Sequence, residues 1–118
     1  MAMGVVEREK DGKKKPTRYY SKKQEKSVAK SLKGFSTPNS GATPFIKSDV
    51  LLDDWCLECK THTSDKDSIS IKKEWLDKNL QESLFMGKRY NALVFSFGPS
   101  SGNYYVIDEN TFKELIEK

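Results

Sequence analysis

The chain has 118 residues, of which 36% are hydrophobic and 32% charged, with a net charge of +4. That length sets one domain with one modest core as the expectation. No apolar run approaches a membrane span, and the charged opening residues are unlike a secretory leader, so a cytoplasmic protein with no membrane partner is expected.

The charge is unevenly spread. Residues 1–33 carry 11 Lys/Arg against 4 Asp/Glu, and residues 34–118 carry 10 against 13. A basic end on a slightly acidic body suits a polyanionic partner, most simply nucleic acid; it also suits a merely solvated charge run.

Residues 1–17 show no apolar periodicity. Gly12, Lys13-Lys14-Lys15 and Pro16 predict a flexible basic arm that either tracks a phosphate backbone or only confers solubility. The remainder, 18–118, is expected to form the single domain. A helix is predicted from Arg18 or Tyr19, with Ser21 as N-cap for Lys22 to Leu32 and Gly34 as the stop. Its apolar stripe is Val28, Ala29 and Leu32. Glu25, three, four and seven residues earlier, falls on that stripe amid the lysines of the other faces. An acid there is either a functional group or a boundary residue reaching water. Arg18, Lys22 and Lys23 are the phosphate contacts expected of this helix if the partner is DNA.

Residues 34–47 are rich in Gly, Ser, Thr, Asn and Pro and predict a loop. Within it, Asn39-Ser40-Gly41-Ala42 offers hydroxyl and backbone N–H donors to a phosphate, or simply connects. Next comes a hairpin. Asp49 to Leu52 reads as one strand, Asp53-Asp54 as the turn, and Trp55 to Lys60 as the second strand. Alternation puts Glu58 and Lys60 on one face, and the hairpin folds Asp49 back towards Glu58. Two carboxylates in apolar strands are costly unless paired or joined by a cation. Mg²⁺ suits them, because it prefers oxygen ligands and takes one or two carboxylates with water and phosphate. Lys60 is then placed to orient a water or steady negative charge. The same residues also fit a surface hairpin with an ordinary ion pair.

Cys56 and Cys59 make a C-x-x-C with His62 three residues on, but no fourth zinc ligand exists in the chain. On a strand the two face opposite sides, so both are expected to be reduced thiols. A second helix is predicted over about 70–86, capped by Ser68 or Ser70 and ending at Gly87. Its apolar positions Ile71, Trp75, Leu76, Leu80, Leu84 and Phe85 are expected to pack mostly in the core; Trp75, Leu84, Phe85 and Met86 form the alternative, an interface, as do Phe97 and Tyr104. Strands at 92–97 and 104–107 and a terminal helix opening at Asn110 or Thr111 complete the order α-β-β-α-β-β-α. The fold class expected is α/β, a small mixed sheet flanked by helices.

This order of motifs resembles the PD-(D/E)XK nuclease superfamily, and within it the small archaeal-type Holliday junction resolvases, including those of phages. The resemblance covers roughly residues 18–108 and rests on Glu25 in a helix, Ser40 in a loop, Asp49-Val50, and Glu58-Cys59-Lys60. Ser48 stands where the superfamily motif has Pro. The resemblance implies a restriction-endonuclease-like fold and a Mg²⁺-dependent phosphodiesterase acting on branched DNA as a homodimer, with Mn²⁺ able to substitute. It implies that Asp49, Glu58 and the Cys59 main-chain carbonyl hold the metal. Glu25 completes the cluster directly or through water, Lys60 positions the attacking water, and Ser40 touches the scissile phosphate. If phage-encoded, the protein would work in the host cytoplasm. Another nicking, flap or duplex nuclease of the superfamily, or a non-catalytic nucleic-acid-binding protein on the same fold, remains an alternative.

Overall fold

The computed structural model describes residues 17–36 and 49–118. The elements within them are α1 (Thr17–Leu32), β1 (Phe35–Ser36), β2 (Val50–Leu51), β3 (Trp55–Thr61), α2 (Lys73–Phe85), β4 (Tyr90–Ser96), β5 (Asn103–Val106) and α3 (Glu109–Ile116). They build one mixed sheet in the order β1-β2-β3-β4-β5. The β3–β4 pair is parallel and the other pairs are antiparallel. A parallel pair needs a crossover, and α2 supplies it between β3 and β4. The expected α/β order therefore holds for the longer elements. The addition is β1, a two-residue strand inside what the sequence predicts to be loop; Phe35 pairs with Leu51 and Ser36 with Val50.

Helix α1 runs from Thr17, the last residue of the expected arm, whose residues 1–16 lie outside the described residues, and Ser21 lies inside the helix instead of capping it. Gln24, Glu25, Val28 and Ala29 form its buried stripe. Its end is a left-handed turn at Lys33 (φ 59°), with the Gly34 N–H donating to Ala29 O at 2.9 Å. That bond spans the last helical turn in the Schellman pattern. Gly34 is needed for a different reason than the expected stop. A Cβ there would stand 2.5 Å from Leu52 Cδ2 and 2.6 Å from Leu51 O, so only glycine lets the chain enter β1 beside β2.

The core lies between α1 and the sheet. Val28 and Ala29 meet Val50, Leu57, Cys59, Ala92 and Val94, with Leu52, Trp55 and Ile107 packed at the margin. Leu57 and Cys59 pair with Ala92 and Val94 across the parallel ladder, so these side chains share one face. The other face carries Cys56, Glu58 and Lys60 on β3 opposite Asn91, Leu93 and Phe95 on β4.

That second face explains a correction. The expected core stripe of α2 is largely outside: Leu80, Leu84 and Phe85 are exposed, and the helix buries Asn79, Glu82 and Ser83 instead. The sheet beneath α2 is mixed, carrying Cys56, Glu58, Lys60 and Asn91 beside the buried Leu93, and the helix turns polar groups towards its polar members. Asn79 Oδ1 accepts from the Cys56 thiol at 3.3 Å, Asn79 Nδ2 donates to Asn91 Oδ1 at 3.4 Å, and the Ser83 hydroxyl donates to Lys88 O at 2.9 Å. The expected Ser68 or Ser70 cap is also absent, since the N-cap is Lys72 with no side-chain bond. At α3 the cap is Asp108, two residues before the expected opener, and its carboxylate accepts from Thr111 N at 2.7 Å. Glu114 holds α3 to β4 by accepting from the Tyr90 hydroxyl and the Arg89 guanidinium.

Candidate active site

The hairpin forms, but its first strand is only Val50–Leu51 where the sequence predicts Asp49 to Leu52. Asp53 and Asp54 make the turn, and the Leu52 N–H donates to Trp55 O at 3.0 Å across it. Val50 pairs with Leu57 and Leu51 with Cys56. Continued by one residue, that register would set Asp49 opposite Glu58. Instead the Asp49 N–H donates to Leu57 O at 3.1 Å, and its carboxylate accepts the Cys59 N–H at 2.9 Å. The side chain thus takes the bond a continued strand would have made, and this fixes an anion at the rim of the sheet.

Two further carboxylates feel that anion from opposite sides. Glu25 comes from α1 on the apolar-core face and is 6% exposed; Glu58 comes from β3 on the α2 face and is 5% exposed. Burial pushes the Glu25 carboxyl up to about 7, with Asp49 adding to the rise and Lys22 and Arg18 opposing it. Burial also pushes Glu58 up to about 7. Asp49 adds to that rise, Lys78 and Lys60 oppose it, and Glu82 contributes a further like charge. The Cys59 thiol, buried next to all three acids, is pushed well above its ordinary range by burial first and then by Asp49, Glu25 and Glu58. It is an inert thiol, as expected of a buried cysteine among anions.

Cations gather on one oxygen of Glu58. Lys60 Nζ stands 3.7 Å from Oε2 and Lys78 Nζ 3.6 Å, while Lys78 also reaches Glu82 at 3.5 Å. Burial would lower the Lys78 ammonium, but Glu58 and Glu82 outweigh it and hold it above its usual range. Lys60 is further braced by the Trp75 ring, whose centre is 4.6 Å from Nζ. Its main-chain oxygen accepts from Gln24 Nε2 at 2.9 Å. The other oxygens are less well served. Glu25 Oε1 and Glu58 Oε1 are buried with no hydrogen-bond partner, as are Gln24 Oε1 and Glu82 Oε1, although Lys22 Nζ stands at ion-pair distance, 3.9 Å, from Glu25 Oε1. Buried carboxylate oxygens of this kind are costly, and a hard cation with oxygen preference is the ligand that would satisfy them. The donor set therefore suits a divalent ion by chemistry. It is not assembled into a finished cage: among the described residues, no group of three or more His, Cys, Asp or Glu side chains stands ready to hold a metal ion.

Of the residues singled out in the sequence, Asp49 lies at this rim with Cys59 and Glu25 towards the α1 face and Glu58 and Lys60 on the α2 face. Arg18, Lys22 and Lys23 lie together on α1, with Lys22 Nζ 3.9 Å from Glu25. Ser40 and Lys13, Lys14 and Lys15 fall outside the described residues. Four participants were missed: Gln24, Trp75, Lys78 and Glu82. Three of these were legible in principle, because the polar positions 78, 79, 82 and 83 form a second stripe at helical spacing that runs on from Trp75. Gln24 carried no signal beyond standing next to Glu25.

Compared with models of protein families, with curated proteins and with solved structures, the chain matches none of them. No helix among the described residues is long and apolar enough to cross a membrane.

Proposed function

We propose that this protein is a Mg²⁺-dependent DNA endonuclease of the PD-(D/E)XK type, with a restriction-endonuclease-like fold, that cleaves branched DNA as a homodimer in the cytoplasm, four-way junctions being the first substrate to test. The observation that supports the reading is that Asp49, at the rim of the sheet, is coupled to two buried acids, Glu25 from a helix and Glu58 from the neighbouring strand, each with a buried oxygen that lacks a hydrogen-bond partner. Acids in places that local patterning would fill with apolar residues mark functional sites more often than structural ones.

In this reading Asp49, Glu58 and the Cys59 carbonyl would hold the ion, and Glu25 would complete the set directly or through water. The chemistry Mg²⁺ or Mn²⁺ supplies in such a place is charge neutralisation at phosphate and a lowered pKa for its water. Lys60 is held by Glu58 and by the Trp75 face, which suits it to orient an attacking water beside the acids. Arg18, Lys22 and Lys23 on α1, together with Lys13–Lys15 and Ser40, contact the phosphate backbone. The exposed Leu84 and Phe85 on α2 are the apolar surface for the homodimer contact.

One observation favours a second reading, a nucleic-acid-binding module without catalysis: Glu58 Oε2 already has two ammonium groups within ion-pair distance, so the site is partly neutralised by its own lysines. The experiment that separates them incubates wild type, Asp49→Asn and Glu58→Gln with four-way junction, flap and linear duplex, each with and without Mg²⁺. Cleavage of the branched substrates by wild type alone, with binding retained or tightened in both variants, is the expected result. Binding without cleavage by wild type in any divalent metal would leave the second reading standing and the first refuted.

A further inference from the structure

We propose that the loop between β3 and α2, with the first turn of α2, is a binding groove for an unpaired, single-stranded segment of DNA running away from Lys60. The inference rests on the nuclease reading for its direction along the strand, but the groove itself is argued from its own groups. It is a cavity of about 540 Å³ on the α2 side of the sheet, away from the basic face of α1. Lys60, Lys66, Lys72 and Trp75 are among the residues that line it. Asp67 is the acid among the lining groups, so the lysines leave the groove net basic.

Trp75 makes this more than a patch of surface lysines. Its ring is half-buried and has Lys60 Nζ 4.6 Å and Lys72 Nζ 5.7 Å from its centre. A positively charged groove beside an aromatic face is the combination that binds single strands, because every base can stack and every phosphate can pair. Duplex keeps its bases stacked on each other and offers nothing to the indole. Lys72, exposed and the more distant of the two ammonium groups, is the one a base displaces from the ring, and its charge then meets the neighbouring phosphate.

The groove is also built in advance. The Lys66 N–H donates to Phe97 O at 2.8 Å, and Asp65 Oδ1 accepts from Ser100 N at 2.9 Å, which ties the loop to the β4–β5 turn. The imidazole Nε2 of His62 lies 3.0 Å from Ser68 O and closes the loop on itself. Gly98 permits this approach, since a Cβ there would stand 2.5 Å from Asp65 Cα and its φ of 153° lies in the region open to glycine. A pre-ordered loop loses little freedom when a strand binds.

The test is binding of a fluorescein-labelled oligo(dT) and of a duplex of equal length, both in EDTA, so that no cleavage enters the result. Trp75→Ala is expected to weaken oligo(dT) binding about tenfold or more and to leave duplex binding within about twofold, while Trp75→Phe restores most of the loss. The double variant Lys66→Gln/Lys72→Gln is expected to flatten the salt dependence for oligo(dT) by about 1.4, from two phosphate contacts at roughly 0.7 each. It also serves if Trp75→Ala does not fold. Equal losses for single strand and duplex, or an unchanged salt slope, would overturn the proposal. Junction cleavage by wild type is scored separately, so a failed groove and a failed nuclease reading give different results.

Discussion

Removing the charge of Glu58 is expected to stabilise the metal-free protein. The carboxyl titrates near 7 instead of its ordinary 4.5, chiefly because it is buried. A folded state that holds a proton more tightly than the unfolded chain loses stability as pH rises between those two values, and the loss is complete above the higher one. At 1.36 kcal/mol per pH unit the interval sets a ceiling of about 3 kcal/mol for the cost of the ionised group. The helpful lysines are already counted in that balance, so their loss in Glu58→Gln does not reverse it. In EDTA the variant should exceed wild type by about 1 kcal/mol or less at pH 5 and by up to about 3 kcal/mol at pH 8. Urea unfolding at the two pH values measures both differences. Mg²⁺ should then close the gap from the other side: at a concentration a hundred times its Kd, a ligand specific to the folded state adds about 2.7 kcal/mol to wild type and little to the variant. A Glu58→Gln protein less stable than wild type at pH 8 in EDTA would refute the assignment of cost to buried charge. Equal stabilisation of both proteins by Mg²⁺ would refute Glu58 as a ligand.

The remaining expectations concern packing and partners. Gly34→Ala should cost about 1–3 kcal/mol in urea unfolding, because the new methyl meets the Leu51 carbonyl as well as a movable Leu52 side chain; an effect below about 0.5 kcal/mol would mean the β1–β2 approach is looser than described. Leu84→Gln with Phe85→Gln should leave monomer stability within about 0.5 kcal/mol per site, as both are exposed, yet shift the sedimentation profile towards monomer; an unchanged dimer would place the contact elsewhere. Lys78→Met should raise the Glu58 carboxyl further in a ¹³C-detected titration, since one of its two opposing cations is lost, and an unmoved or lowered midpoint would show the ion pair to be without effect.

What could be read from the sequence divides along the two faces of the sheet. On the α1 face the signals agree with one another. Val28, Ala29, Leu57, Cys59, Ala92 and Val94 are apolar at helix and strand spacing, and they form the core. Glu25 stood out there because it broke that pattern, and it is buried where the pattern placed it. On the α2 face periodicity misled. Leu76, Leu80 and Leu84 make a plausible core stripe, but which stripe turns inward depends on the surface it meets, and that surface carries Cys56, Glu58, Lys60 and Asn91 as well as Leu93 and Phe95. Residues on β3 and β4 thus decide the rotation of α2, a long-range effect that no window along the helix contains. The short β1 was hidden for a similar reason. Phe35 and Ser36 pair because Gly34 lets them approach β2, and neither residue alone signals a strand.

The same rotation ties the fold to the proposed chemistry. A helix that buried its leucines would cover Glu58 and Lys60 with hydrocarbon and leave their charges unmet, at a cost of several kcal/mol per ion. Turning Asn79, Glu82 and Ser83 inward instead brings Lys78 to Glu58 and sets Trp75 beside Lys60. Leu80, Leu84 and Phe85, displaced outward, become the apolar surface left over. The exposed apolar residues of α2 and the charged sheet rim therefore have one cause: the polar groups on β3 that the crossover helix must accommodate. If substitution of Glu58 and Lys60 by apolar residues rotated α2, so that Leu80 and Leu84 gained protection from hydrogen exchange and Lys78 lost its partner, that dependence would be demonstrated directly. If α2 kept its present face against an apolar β3, the rotation would have to come from Asn79 and its bonds to Cys56 and Asn91 alone.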